Sequence, residues 1–133
     1  MDDEGLYGSG LPGSDLGISP VAVDEHTHMA ARGEFRLRFR WDPAKAVANT
    51  TKHRVTFVQA ASVLQDPLAV TVFDAEHSGF EERWFTLGLA RNGSLLAVSH
   101  TYLTEGPDAA EVRILSARRA TRNERQQYES GPR

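Results

Sequence analysis

The chain has 133 residues, of which 40% are hydrophobic and 25% are charged, as is usual for one soluble globular domain with a modest core. It contains no cysteine, which excludes disulfides and cysteine-based zinc sites. No apolar run is as long as a membrane span, and the N-terminus lacks the basic-then-apolar order of a secretory signal, so we expect a cytoplasmic protein without a membrane partner.

Residues 1–33 are predicted to form a disordered acidic tail. They contain six glycines, and residues 1–31 carry six acidic side chains but no lysine or arginine. All 15 basic residues lie beyond this stretch, against 12 acidic ones. Met29, just before the predicted domain over 34–133, is a candidate for the true start. Detection of residues 1–28 in the intact mass of the natively expressed protein would exclude that start.

The domain is predicted to open with a strand and a capped helix. Apolar and basic side chains alternate over 35–41, which is typical of a half-buried strand. Asp42 can cap the next helix, with Pro43 at its first position. The predicted buried stripe of this helix is Ala44, Val47, Ala48 and Thr51.

A second helix is predicted from a capping box at Thr56 and Gln59. Its apolar face consists of Phe57, Ala60, Ala61 and Leu64, and Asp66-Pro67 ends it. Four further strands are predicted over about 68–74, 82–90, 95–103 and 111–118. Another capping box, formed by Thr121 and Glu124, opens a final short helix.

Asn92-Gly93 is a strong signal for a two-residue hairpin turn. Centring the turn on this dipeptide predicts three cross-strand pairs: Arg83 with Tyr102, Trp84 with Thr101, and Phe85 with His100. The order β-α-α-β-β-β-β-α predicts an α+β domain with a mostly antiparallel sheet. The helices are expected to cover one face and to leave the other open.

The sequence contains no familiar phosphate-loop, metalloprotease or nucleophile motif, and its acidic residues do not cluster as a two-metal nuclease requires. A nuclease with this composition is therefore expected to need neither a metal nor another cofactor. Such an enzyme uses the 2′-hydroxyl of RNA as its nucleophile and must stabilise a negatively charged phosphorane. Arginine, lysine, histidine and glutamate suffice for those tasks.

Two dipeptides and one basic segment are candidates for that chemistry. Lys52-His53 follows the first helix, where positive charge also favours the helix C-terminus, and Glu82-Arg83 opens a strand. Helix capping and a surface ion pair are the structural alternatives. The densest basic feature contains Arg113, Arg118, Arg119, Arg122 and Arg125. Arg118 and Arg119 lie where the last strand meets a helix N-terminus, a location that favours phosphate.

His100 and Tyr102 are candidates for a proton donor and a surface on which a base can stack. A structural histidine within the strand is the alternative. Composition and spacing alone thus predict a small α+β domain with an arginine-rich edge.

Several separate motifs, in order, resemble the BrnT family. The matching residues are Trp41-Asp42-Pro43 with Lys45, Asn49, Lys52-His53, Val55 and Phe57; Glu82-Arg83 with Gly88; His100-Thr101; and the 114–121 run with Glu124 and Tyr128. The resemblance covers about residues 35–130. It implies a RelE-like fold and a toxin that degrades RNA to inhibit translation. It further implies a BrnA-like antitoxin partner that supplies the operator DNA contacts of the pair.

The resemblance implies an active surface, with Lys52 in support, and the other basic and aromatic residues noted above are the remaining candidates for RNA binding. The candidates for the active surface are His53, Glu82, Arg83, Arg118 and Arg119. The candidates for RNA binding are Lys52, His100, Tyr102, Arg113 and Arg122. Glu82 or His53 is expected to act as general base, Arg83 and Arg118 to stabilise the phosphate, and His53 or an arginine to donate the proton.

The chain departs from the family pattern at two positions. Leu103 stands where members often carry a basic residue, and Arg54 replaces the glycine common after Lys-His. The acidic tail is also outside the pattern. Two other hypotheses remain: a non-catalytic module that binds RNA or the antitoxin and helps repress the operon, and an RNA-binding module outside toxin–antitoxin systems.

Overall fold

The computed structural model describes residues 27–28 and 35–131, and this part of the chain is an α+β fold with a mixed open sheet and three helices. The strands are β1 (Thr27–His28), β2 (Arg36–Arg40), β3 (Val70–Phe73), β4 (Trp84–Leu89), β5 (Leu95–His100), β6 (Leu103–Thr104) and β7 (Ala109–Arg119). The helices are α1 (Pro43–His53), α2 (Phe57–Val63) and α3 (Arg122–Glu129), with a short 3-10 turn at Ala75–His77. Apart from 27–28, the predicted tail lies outside the described residues.

The sheet has the strand order β1-β2-β7-β5-β4-β3, and β6 also pairs with β7. The prediction of a mostly antiparallel sheet is confirmed in part: one central pair is parallel, because β2 runs parallel to β7 with Phe39 opposite Val112. A parallel pair needs a long connection, and α1 and α2 begin that connection directly after β2. The other described strand pairs are antiparallel.

One face of the sheet, here called the inner face, packs against α1 and α2. Its core includes Phe39, Val98, Val112 and Ile114 from the strands. Phe57 of α2 meets Trp41 edge to face, with ring centroids 6.0 Å apart. The capping box of α2 is confirmed: the Gln59 N–H donates to Thr56 Oγ1 over 3.0 Å, and Thr56 N–H donates to Gln59 Oε1 over 2.9 Å.

The predicted buried stripe of α1 is wrong. The buried residues of this helix are Ala46 and Asn49, whereas 48% of Val47 is exposed. The cap itself is confirmed, because the Asp42 carboxylate accepts from the backbone of Ala44 over 2.8 Å. Asn49 is buried through hydrogen bonds that an apolar periodicity does not reveal.

The sequence predicted that all helices cover one face of the sheet, and this prediction is wrong. Helix α3 places Tyr128 against Leu87, Leu95 and Ala97 on the opposite side, here called the outer face. The Tyr128 hydroxyl also donates to Asp66 Oδ2 over 2.6 Å. The outer face is therefore covered at one end by α3.

The predicted hairpin register is wrong by one residue. The turn is a three-residue loop, 91–93, in which Ala90 N–H donates to the Ser94 carbonyl over 2.8 Å and Gly93 adopts φ 91°. This is the longer hairpin loop that ends in a left-handed residue, rather than the two-residue turn. Trp84 consequently pairs with His100 instead of Thr101, and Phe85 pairs with Ser99 on the outer face.

No helix among the described residues is both long and apolar enough to cross a membrane.

Candidate active site

A cleft of about 560 Å³ lies on the outer face, where β4, β5 and β7 meet α1. We call it the outer-face cleft. Its polar lining consists of Lys45, His53, Asp74, His77, Arg83, Ser99, Ser116 and Arg118. The lining carries more positive than negative side chains, which suits a phosphate-bearing ligand.

Helix α1 reaches this cleft because Asn49 fastens it to the edge of β7. Strand β2 pairs with β7 only along residues 109–113 of β7. The backbone of β7 after residue 113 therefore has no strand neighbour on that side. The Asn49 side chain donates to the Ala117 carbonyl over 2.8 Å and accepts from Ala117 N–H over 3.1 Å. One amide thus replaces a strand partner and holds Lys45 and His53 beside the cleft.

A bulge in β7 decides which arginines share the outer face. Ser99 pairs with Ser116, but the next residue, His100, pairs with Ile114, so Leu115 is an extra residue. An extra residue reverses the alternation of side chains along a strand. Arg113 and Arg118, five positions apart, therefore point to the same face.

Arg118 is held rigidly in the cleft. Its Nη1 and Nη2 donate to Oε1 and Oε2 of Glu124 over 2.8 and 2.9 Å, and its guanidinium lies 5.7 Å from the Phe85 ring centre. The hydrogen bond from Arg118 lowers the pKa of Glu124, and the same bond raises the pKa of Arg118. Glu124 also completes the capping box of α3 by accepting from Thr121 N–H over 2.9 Å.

The backbone of Arg83 is fixed by hydrogen bonds, but its side chain has fewer hydrogen-bond partners than that of Arg118. Its carbonyl accepts from Asp74 N–H over 2.8 Å, and its own N–H donates to Ser78 Oγ over 2.9 Å. Its Nε is buried without a hydrogen-bond partner among the described residues. The contact of its Nη2 with Glu81 is loose, at 3.6 Å. This guanidinium therefore keeps capacity for an anion.

Asp74 and His77 line the same cleft and contact each other. The Nδ1 atom of His77 lies 2.9 Å from Asp74 Oδ2 and 3.1 Å from Oδ1. Sequence reasoning missed both residues, although a spacing of three in a turn allows such a contact. It also missed Lys45 as a site residue, together with Phe85, Ser99 and Ser116, which the incorrect register concealed.

Three of the five residues expected at the active surface line the cleft, namely His53, Arg83 and Arg118. Glu82 is exposed and is not among the lining residues. Arg119 pairs with Leu96 and so belongs to the inner face, opposite to Arg118.

The residues expected to bind RNA are divided between the two faces. Lys52 and Arg122 are exposed on their helices outside the cleft, and Arg113 is on the outer face, where Glu81 accepts from its Nη2 over 2.6 Å. His100 is buried on the inner face, between the Thr86 hydroxyl at 2.7 Å and the Thr101 carbonyl at 2.9 Å.

Burial lowers the pKa of His100, as expected for a neutral histidine in a core. His100 and Tyr102 line a separate, largely apolar pocket of about 410 Å³, together with Leu37 and Trp84. The structure therefore places both residues away from the arginines of the cleft. No group of three or more potential metal ligands occurs within residues 27–28 and 35–131.

The cleft residues fall within a stretch that matches a known family. A family model for the ribonuclease toxin BrnT of type II toxin–antitoxin systems matches residues 41–124. No individual curated protein matches the chain. The matched stretch covers well over half of the 133 residues and includes every polar residue that lines the cleft. The chain therefore belongs to the BrnT family of ribonuclease toxins of type II toxin–antitoxin systems.

Proposed function

We propose that this protein is a metal-independent endoribonuclease toxin that cleaves RNA in the outer-face cleft by attack of the 2′-hydroxyl. The observation that carries the proposal is the meeting of Arg83, Arg118 and His53 in one cleft of the matched domain. The family name supports ribonuclease activity in general. We further propose a RelE-like fold, because two helices precede a run of antiparallel strands as in the expected order.

The phosphate is stabilised by the two arginines in different ways. Arg118 is held in place by Glu124, so little reorganisation is needed when charge develops on the phosphorane. Arg83 brings a part-exposed guanidinium whose Nη2 makes a loose contact with Glu81, at 3.6 Å, and this end of the group can bind a phosphate oxygen directly. Lys45 adds a third positive charge to the lining.

Proton transfer completes the reaction. The 2′-oxygen loses its proton and bonds to phosphorus, the bond from phosphorus to the 5′-oxygen breaks, and that oxygen takes up a proton. His53 lines the cleft from α1 and is proposed as the donor of this proton. The products are a 2′,3′-cyclic phosphate and a 5′-hydroxyl.

Membership of the family implies a toxin–antitoxin system, and the details of that system are proposed here. The toxin inhibits translation in the cytoplasm and is neutralised by a BrnA-like antitoxin. The antitoxin supplies the operator DNA contacts of the complex. Growth arrest on induction of the toxin, relieved by an antitoxin-sized protein encoded beside it, is the expected cellular result.

The proposal is tested by incubating the purified chain with a labelled RNA oligonucleotide, with and without EDTA. Arg118→Ala and Arg83→Ala are each expected to slow cleavage by about 100- to 1,000-fold, the typical effect of removing one transition-state donor. Arg91→Ala is the matched control and should cleave normally, because Arg91 is exposed in the hairpin loop outside the cleft. Full activity of both cleft variants would contradict the site.

A non-catalytic RNA- or antitoxin-binding module is the second candidate function. It is favoured by Leu103, which is 61% exposed beside Glu111 where family members often carry a basic residue, so that the RNA surface is reduced. In the same assay, RNA that is bound but stays intact with and without metal would support this alternative. A 2′-deoxy substitution at the cleaved position should abolish cleavage if the 2′-hydroxyl is the nucleophile.

A further inference from the structure

The 3-10 turn after β3 carries an acid–histidine pair into the outer-face cleft. Asp74 and His77 both line the cleft, and the Asp74 carboxylate lies 2.9 Å from His77 Nδ1. Among the described residues that line the cleft, Asp74 is the one with an acidic side chain. Each of the other charged groups that face it is basic or a histidine: Lys45 and His53 from α1, Arg83 before β4, and Arg118 from β7.

The contact with Asp74 determines how His77 handles a proton. A carboxylate that accepts a hydrogen bond from Nδ1 keeps the proton of the neutral imidazole on that nitrogen. The lone pair is then on Nε2, which has no hydrogen-bond partner among the described residues. The same carboxylate stabilises the imidazolium once Nε2 has taken up a proton. The His77 side chain is 64% exposed, so a substrate can reach it.

We propose that His77, oriented by Asp74, is the general base that deprotonates the 2′-hydroxyl of the RNA. This inference rests on the proposed RNA cleavage. The 2′-hydroxyl proton passes to His77 Nε2 as the oxygen bonds to phosphorus, while His53 gives a proton to the departing 5′-oxygen. His77 subsequently releases its proton to water, and His53 takes up a proton from water. Glu82, the other candidate base from the sequence, is exposed and is not among the lining residues.

A structural role predicts different behaviour. Asp74 also caps the 3-10 turn by accepting from His77 N–H over 3.3 Å, so the pair could serve only to shape the loop. Substituting the histidine side chain leaves that backbone hydrogen bond in place. A purely structural imidazole would then be replaceable by glutamine with little effect on the rate or on its pH dependence.

The test compares RNA substrates with an oxygen or a sulfur atom at the 5′ leaving position. A sulfur leaving group needs no protonation, so it compensates for loss of a general acid but not for loss of a general base. His77→Gln is expected to slow cleavage of both substrates by about 100- to 10,000-fold. His53→Gln should be slow with oxygen only. Glu76→Gln, at an exposed neighbouring position, is the matched control and should behave as wild type.

The pH profile gives a second readout. A general base must be deprotonated and a general acid protonated, so the wild-type rate should follow a bell-shaped pH profile whose rise on the acidic side reports the base. His77→Gln should lose this rise, and added imidazole should restore part of the rate. Asp74→Asn keeps an oxygen that caps the turn but should reduce the rate about tenfold or more.

The outcomes separate this inference from the proposed function. A wild-type protein that leaves RNA intact contradicts RNA cleavage itself. Cleavage that needs the 2′-hydroxyl but is unchanged in His77→Gln overturns only the assignment of His77. A His77→Gln defect that sulfur restores would also overturn it, because His77 would then be the acid.

Discussion

Arg54 is the one described non-glycine residue with a positive φ, at φ 59° and ψ 32°, and it ends α1. Its N–H donates to the Thr50 carbonyl over 2.9 Å, which is how a left-handed residue closes a helix. Glycine is usual at this position because a side chain is unfavourable there by about 1–2 kcal/mol. The departure noticed in the sequence is therefore accommodated by a left-handed backbone conformation at Arg54, at a cost in stability.

We expect Arg54→Gly to raise the free energy of unfolding by about 0.5–1 kcal/mol, since relief of the left-handed strain exceeds the added entropy of glycine in the unfolded chain. Chemical denaturation measures the change. Lys52→Gly, inside the last turn of the same helix, is the control and should lower stability by up to about 1 kcal/mol. A loss of stability in Arg54→Gly would show that the Arg54 side chain makes a compensating contact.

At the scale of elements, Asn49 joins α1 to β7. Its amide bonds both backbone groups of Ala117 and also donates to the Val55 carbonyl over 2.9 Å. Asn49 is buried, so each of these groups would lose its partner without access to bulk water if the amide were removed. The position of His53 and Lys45 relative to Arg118 depends on this attachment.

Asn49→Ala is expected to lower the free energy of unfolding by about 2–4 kcal/mol, because several buried backbone groups are left unsatisfied. The rate of RNA cleavage should also fall at temperatures where the variant remains folded, since α1 is no longer fixed beside the cleft. Thermal melts and the oligonucleotide assay measure the two effects. The exposed Asn123→Ala in α3 should change neither by much.

The sequence predicted elements better than their relations. Helix starts were confirmed at Asp42, Thr56 and Thr121 because the cap side chain and the backbone N–H that donates to it lie within three residues of each other. The parallel pairing of β2 with β7 joins residues such as Phe39 and Val112, and no local pattern encodes it. Asn49 was recognised only as part of a resemblance, because a polar residue does not count toward an apolar stripe.

The candidate site was predicted only in part, because the face of a strand that a residue occupies also depends on long-range pairing. The resemblance supplied His53, Arg83 and Arg118, but it could not show that Arg119 faces away or that His100 is a core residue. Those facts depend on which side of each strand a residue occupies. That side changes whenever a loop or bulge gains one residue.

At the scale of the whole molecule, three titrating groups make the fold sensitive to acid in the same direction. Burial lowers the pKa of His100, a hydrogen bond from Arg38 lowers that of Glu105, and one from Arg118 lowers that of Glu124. A group whose folded pKa lies below its unfolded value binds its proton more readily when unfolded. Each group thus contributes stability at neutral pH that is lost as the pH falls.

Two stages of destabilisation are expected on acidification. The melting temperature should fall first below about pH 6.5, as His100 becomes protonated in the unfolded chain. It should fall again below about pH 4.5, the ordinary value for the two glutamates. His100→Asn should remove the first stage, whereas His53→Gln should retain it. An unchanged slope between about pH 7 and 5 in His100→Asn would contradict this assignment.

The bulge at Leu115 has a consequence for how relatives of this protein should be compared. Because of this extra residue, odd-numbered and even-numbered residues of β7 change faces after Leu115. A relative that gains or loses one residue here would keep every arginine of the cluster but place the counterparts of Arg113 and Arg118 on opposite faces. The chemistry of the cleft is therefore encoded by the spacing of the arginines across Leu115 as much as by their number.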